Sequence, residues 1–267
     1  MAPPFLETKE YRRFAEFGDS CHRERYIGPC YGPPGVDKTL SARHYARWEA
    51  IEAVVADRHF WMETPAHPEL RDCRTVIYTP SMTATPKRLE DEVYGWRRRL
   101  HLVVEAAQHP DEDDSDTATY DDRWTKLVIV DEADRLTFPS LEQLRDRYDR
   151  GAFGLVLLGM PGLEKRLARY AQLYSRVGFV HPFRPLSADK LRFILEQRWR
   201  ELGLTIDLTE FDDVEAMTAI IRITGGTFRL VQRLFAQMAR IMAINQMTRV
   251  SKEVVEVARE SLVIGSI

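Results

Sequence analysis

The chain has 267 residues, 44% of them apolar, with 38 Lys and Arg against 41 Asp and Glu. That length suits one large domain, or a core domain with a smaller companion, and the apolar share suffices for a hydrophobic core over most of it. A net charge of −3 excludes a globally basic nucleic-acid binder, so any nucleic-acid contact must come from a local patch. The three cysteines, Cys21, Cys30 and Cys73, form no CxxC pair and no Cys/His cluster. That excludes a zinc site and a disulfide scaffold. The opening MAPPFLETKEYRRF has no apolar core of a signal peptide, and no apolar run approaches the ~20 residues that span a bilayer. A cytoplasmic protein with no membrane partner is expected.

In chain order, residues 1–25 read as a polar helical extension, with Phe5, Tyr11, Phe14 and Phe17 as candidate docking residues. YIGPCYG (26–32) reads as a strand entering a Gly/Pro-rich loop. A helix is expected from Thr39 to Val55, with Tyr45, Trp48, Ile51 and Val55 at helical spacing. TVIYTP (75–80) is a second strand, followed by a helix over 86–107. The acidic stretch 109–122 reads as a flexible surface insertion. KLVIVDEAD (126–134) is a third strand ending in carboxylates, with a short helix over 139–150. GLVLLG (154–159) is a fourth strand leading into a helix through PGLEKRLARY, and VGFVHPF (177–183) a fifth. Strands alternating with helices imply a parallel sheet covered on both faces. From Ser187 the pattern becomes all-helical, over 187–202, 212–223, 227–246 and 251–263. The expected division is 1–25, 26–185 and 186–267.

Gly32, Pro33, Pro34, Gly35, Val36, Asp37, Lys38 and Thr39 lie between a strand and a helix, the context required of a phosphate-binding Walker A loop. Such a loop holds phosphates with backbone N–H groups and a helix N-terminus. Lys38 would reach the β- and γ-phosphates, the Thr39 hydroxyl would ligate Mg²⁺, and Leu40 would border the nucleotide. Asp37 stands where the consensus has its last glycine, bringing a side chain and a negative charge toward the phosphates. Asp131 and Glu132, after four apolar residues, fit a Walker B pair: Asp131 for Mg²⁺, Glu132 for polarising the attacking water. A bland strand with an acidic helix cap gives the same letters, but not together with a phosphate loop about 90 residues earlier.

GPPGVDKT, VIVDEADRL, VLLGMPGLEKRL and GGTFRLVQRL together resemble the AAA+ ATPases, most of all their transposition-regulator group, the TnsC, TniB and MuB-like proteins. The likeness runs from about Glu7 to Val257. It implies a three-layer αβα P-loop core with a five-stranded parallel sheet, followed by a small all-helical lid, with ATP and Mg²⁺ as cofactors. It also implies an altered sensor 1 at Met160, an arginine finger at Arg176 offered to a neighbouring subunit, and a sensor 2 at Arg229 near the γ-phosphate. In this group ATP-bound subunits assemble as a ring or helical filament on duplex DNA through the region after the second strand. Here that region offers Thr83, Thr85, Lys87, Arg88, Arg97, Arg98 and Arg99. Such contacts position a protein without reading sequence. Glu90, Asp91 and Glu92 could instead neutralise the face.

No acidic residue lies between Glu215 and Glu253, whereas Arg222, Arg229, Arg233, Arg240, Arg249 and Lys252 do. Arg229, Arg233 and Arg240 share one helical face, which could meet nucleotide, DNA or an adjacent subunit, or simply be solvated. The leading expectation is an ATP-dependent, non-sequence-specific DNA-binding regulator of transposition that recruits a transposase. The rivals are a nucleotide-degenerate adaptor working through protein contacts and an ExeA-like ATPase of a secretion system.

Overall fold

The computed structural model describes residues 5, 7–55, 67–109, 124–201, 210–247 and 249–262. The acidic stretch 109–122 lies, apart from His109, outside the described residues. Two compact units result: Met1–Gly32 with Lys38–Phe183, and Pro33–Asp37 with Arg184–Ile267.

The first unit carries α1 (Lys9–Glu24), β1 (Ile27–Tyr31), α2 (Lys38–Tyr45), α3 (Trp48–Val55), β2 (Thr75–Tyr78) and α4 (Pro86–Gln108). There follow β3 (Leu127–Val130), α5 (Phe138–Arg150), β4 (Gly154–Gly159), α6 (Leu163–Leu167), α7 (Ala171–Tyr174) and β5 (His181–Pro182). The five strands form one parallel sheet in the order β2-β3-β4-β1-β5. Near-continuous apolar strands are what a sheet covered on both faces requires. Leu127–Val130 and Leu155–Leu158 are all fully buried.

One face of the sheet, through Ile27, Val128, Val130, Leu155 and Leu157, meets Leu89 and Val93 of α4, Leu141 and Leu144 of α5, and Leu163 and Leu167 of α6. The opposite face meets α1. A Cβ on Gly154 would come within 2.1 Å of the Cys21 carbonyl oxygen, so only glycine lets α1 lie this close. Phe14 and Cys21 are fully buried there, and Phe14, Phe17 and Phe183 surround the His181 ring. The loss of hydration at that site pushes the His181 imidazole below its ordinary value. Helix starts follow local chemistry: the Thr85 hydroxyl accepts the Arg88 N–H with Pro86 next in sequence, and the Thr137 hydroxyl accepts the Ser140 N–H.

The expected helix 39–55 is broken into α2 and α3 by Arg47, whose φ of +51 ends the first piece. Tyr45 donates its hydroxyl to Asp19 of α1, whereas Trp48 is buried against Trp96 of α4. One straight helix cannot serve both directions. The helix expected after Gly159 is likewise two short pieces, α6 and α7. The fifth strand is shorter than 177–183: β5 is two residues, and Val177 alone bridges to Ile27 upstream of it.

The second unit holds α8 (Ala188–Glu201), α9 (Phe211–Thr224), α10 (Phe228–Ile244) and α11 (Lys252–Glu260), with no strand among its described residues. Leu191, Leu195, Met217, Ile220, Val231, Leu234, Met238 and Val255 form its core. Gly225, left-handed at φ +52, closes α9. The phosphate-loop residues Pro33–Asp37 group with this unit. Among the described residues no helix is long and apolar enough to cross a membrane.

Candidate functional site

Because β1 and β3 run parallel, the segments that follow them emerge at the same edge of the sheet, where open α/β sheets place their ligands. Lys38 and Thr39 open α2 immediately after the loop. The Lys38 ammonium donates to the Gly32 carbonyl at 2.6 Å, and the Gly32 N–H donates to the Gly159 carbonyl at the end of β4 at 3.3 Å. The Thr39 hydroxyl donates to Asp131 Oδ2 at 2.7 Å, across 92 residues of sequence. Asp131 is only 5% exposed, and its second oxygen accepts the Glu132 N–H at 2.8 Å. Its own N–H donates to the Tyr78 carbonyl of β2 at 2.8 Å, so the carboxylate is held from two sides.

A hydroxyl beside one buried carboxylate is an oxygen-only donor set suited to a hard divalent cation that keeps waters and phosphate oxygens as its other ligands. No group of three or more His, Cys, Asp or Glu gathers as a metal cage among the described residues. Thr39 and Asp131 therefore fit Mg²⁺ carried in with a nucleotide.

Glu132 adopts φ +50, a left-handed conformation that costs a non-glycine residue about 1 kcal/mol or more. Its half-exposed carboxylate pairs with Arg135, which also donates to the Pro80 carbonyl at 2.9 Å. Asp134, to which the sequence reading gave no role, accepts the Met160 N–H at 2.6 Å and so ties the end of β4 to the turn after β3. The Met160 side chain itself is 42% exposed.

Within the helical unit, Gly35 and Asp37 both have positive φ, +82 and +60. Asp37 thus occupies a conformation that glycine adopts freely and aspartate tolerates at some cost. Burial pushes its carboxyl up to about 6, against the downward pull of Arg229. The Arg229 N–H donates to the Gly35 carbonyl at 3.4 Å. The sensor-2 candidate therefore adjoins the phosphate loop.

Arg176 does not point freely away from its own chain. Its guanidinium forks Asp149 of α5 at 2.5 and 2.7 Å and holds that carboxyl below the ordinary range. Of the candidate DNA contacts, Lys87, Arg88 and Arg98 are exposed, but Arg88 is paired with Glu92 at 2.8 Å. The Thr85 hydroxyl is engaged as the cap of α4. Arg97 is a correction: it is buried, its guanidinium 4.4 Å from the Phe153 ring centroid, because that turn of α4 faces the core. Arg99 lies 5.5 Å from the Trp96 ring centroid.

A parallel sheet in this strand order, with a phosphate-loop pattern after its first strand and paired carboxylates after its third, defines the P-loop class of nucleotide-binding folds. Residues 21–167 match the family described as AAA domain, and the chain belongs to that family. It is 46% identical over 269 aligned residues to a potential ATP-binding protein of Staphylococcus aureus, covering 98% of this chain and 97% of that one. It is 30% identical to the ATP-dependent target DNA activator B of Escherichia phage Mu, over 66% of this chain and 50% of that protein. The chain thus spans half the phage protein's length. Among solved structures, the RuvB Holliday junction branch migration motor of Thermotoga maritima superposes with a TM-score of 0.60 at 14% identity. The superposition covers 97% of this chain and 70% of that one, a likeness of fold alone.

Proposed function

We propose that this protein is an ATP-dependent regulator of DNA transposition, acting in the cytoplasm. It binds ATP–Mg²⁺, assembles on duplex DNA without sequence preference, and recruits a transposase. The 2.7 Å contact between Thr39 and Asp131 carries the nucleotide part of this reading, since it joins the two motifs at one strand edge. Similarity to the phage Mu target DNA activator supports the process.

In this reading backbone N–H groups of Gly32–Thr39 and the Lys38 ammonium hold the phosphates. Thr39 and Asp131 hold Mg²⁺, which when bound neutralises phosphate charge. Glu132 leaves Arg135 to orient and deprotonate the attacking water. Arg229 senses the γ-phosphate. Arg176 exchanges Asp149 for the phosphates of a neighbouring subunit, where it stabilises transition-state charge. Lys87, Arg88 and Arg98, with Thr85 at the helix start, face the DNA backbone.

The test is anisotropy of a labelled random-sequence duplex at low salt, with and without ATP–Mg²⁺. Nucleotide-stimulated binding is expected, and no binding under either condition ends the DNA reading. One observation favours a second reading. Asp37, strained at φ +60 and two residues after Gly35, places a carboxylate in the phosphate loop, as a nucleotide-free adaptor would tolerate. Nucleotide binding that appears only in Asp37→Gly would select the adaptor.

A further inference from the structure

The basic run between Glu215 and Glu253 has no part in the reading above beyond Arg229. α10 buries Val231, Leu234, Met238 and Met242 and turns Arg233 and Arg240 outward. Among the described residues neither arginine has an ion-pair or hydrogen-bond partner. Their neighbours behave differently. Arg222 is neutralised by Glu256 of α11 at 2.7 Å and Lys252 by Glu215 of α9 at 3.2 Å, so these two carboxylates are engaged beside those cations. Positive charge left uncompensated on a rigid helix, in a chain of net charge −3, is a local feature with a direction.

We infer that the Arg233–Arg240 face of α10 is a second phosphate-backbone contact for duplex DNA. This rests on the DNA-binding reading and adds to it a surface on the helical unit. At about 1.5 Å of rise per residue the two arginines stand roughly 10 Å apart along the helix. That is about three base-pair rises, so each reaches its own phosphate. Between them the same face carries Ala236 and Gln237, a small residue and an uncharged amide that can itself donate to a phosphate oxygen. Between the two arginines this face has no aromatic or large apolar anchor for a protein partner, the exposed Ile244 standing one turn beyond Arg240. Phosphate contacts of this kind add affinity and salt dependence without sequence preference.

The experiment uses the full chain with ATP–Mg²⁺ and a labelled random 30-base-pair duplex, titrated at several salt concentrations. Three chains are compared: unmodified, Arg233→Gln/Arg240→Gln, and Arg233→Lys/Arg240→Lys. Each lost contact should shallow the plot of log K against log salt by about 0.9, so the Gln pair should lose about 2 from the slope and roughly tenfold or more in affinity at low salt. The Lys pair should retain the slope, and both variants should bind a fluorescent ATP analogue within twofold of the unmodified chain. An unchanged slope in the Gln pair, with the unmodified chain still binding DNA, overturns the second contact and leaves the DNA reading standing. Failure of the unmodified chain to bind DNA overturns both. If the Gln pair instead loses self-association in DNA-free light scattering while keeping the slope, the face is a subunit contact and the inference fails.

Discussion

Replacing Asp37 by glycine should tighten ATP binding, and the structure sets the size of the effect. The residue pays twice. Its φ of +60 is a conformation that glycine reaches at no steric cost, worth about 1 kcal/mol to the folded loop. Its carboxylate also stands in a loop built to receive phosphates. At about 6 Å and an effective dielectric constant of about 20, one carboxylate and one net phosphate charge repel by roughly 2.8 kcal/mol, about a hundredfold in Kd. Screening and the nearby Arg229 reduce that to no less than about tenfold. A fluorescent-nucleotide titration should therefore show Asp37→Gly binding ~10- to 100-fold tighter, with Asp37→Asn close behind because it loses the charge but keeps the strain. Equal affinities in all three chains would refute the reasoning. The same carboxyl is raised to about 6 by burial, so it favours the fold when protonated. Its contribution to stability is present at low pH and lost as pH rises through about 6. Lowering pH from 7.5 to 5.5 should thus strengthen ATP binding by the unmodified chain relative to Asp37→Asn. Parallel pH profiles for the two would contradict that assignment.

Glu132→Gln should lower ATP turnover by ~10²- to 10⁴-fold while leaving nucleotide affinity within a few fold, as measured by phosphate release beside the same titration. Arg176→Ala should abolish turnover by the DNA-bound assembly yet cost the fold no more than about 1 kcal/mol, since its pair with Asp149 is partly exposed; undiminished turnover would remove it from the reaction. Gly154→Ala should destabilise the first unit by about 3 kcal/mol, because the added carbon meets main chain 2.1 Å away that has no rotamer to change. A thermal midpoint within a degree of the unmodified chain would show that α1 can shift.

The strands were legible because a sheet buried on both faces needs unbroken apolar runs, and Leu127–Val130 and Leu155–Leu158 provide them. The site edge was legible for a related reason: Thr39 and Asp131 are the residues on either side of a strand–helix or strand–turn junction, and parallel strands bring such junctions together. What escaped was governed by partners distant in sequence. The break at Arg47 has no glycine to announce it, and arises because Tyr45 and Trp48 answer to different helices. Three consecutive arginines, 97–99, read alike as letters, but a 100° step per residue sends the first into the core over Phe153. Asp134 looked like one more acid in an acidic string. Its use, receiving the Met160 N–H, depends on β4 lying beside β3.

The intimacy between Cys21 and Gly154 bears on how the molecule can be cut. The family match begins at residue 21, near the end of α1. A fragment trimmed to that boundary would strip Phe14 and Phe17 from the sheet and leave Cys30, Val156 and Leu158 bare to water. Expression of such a piece should yield aggregates. The opening helix is thus a lining of the nucleotide domain's interior, and a tag or fusion belongs before Thr8.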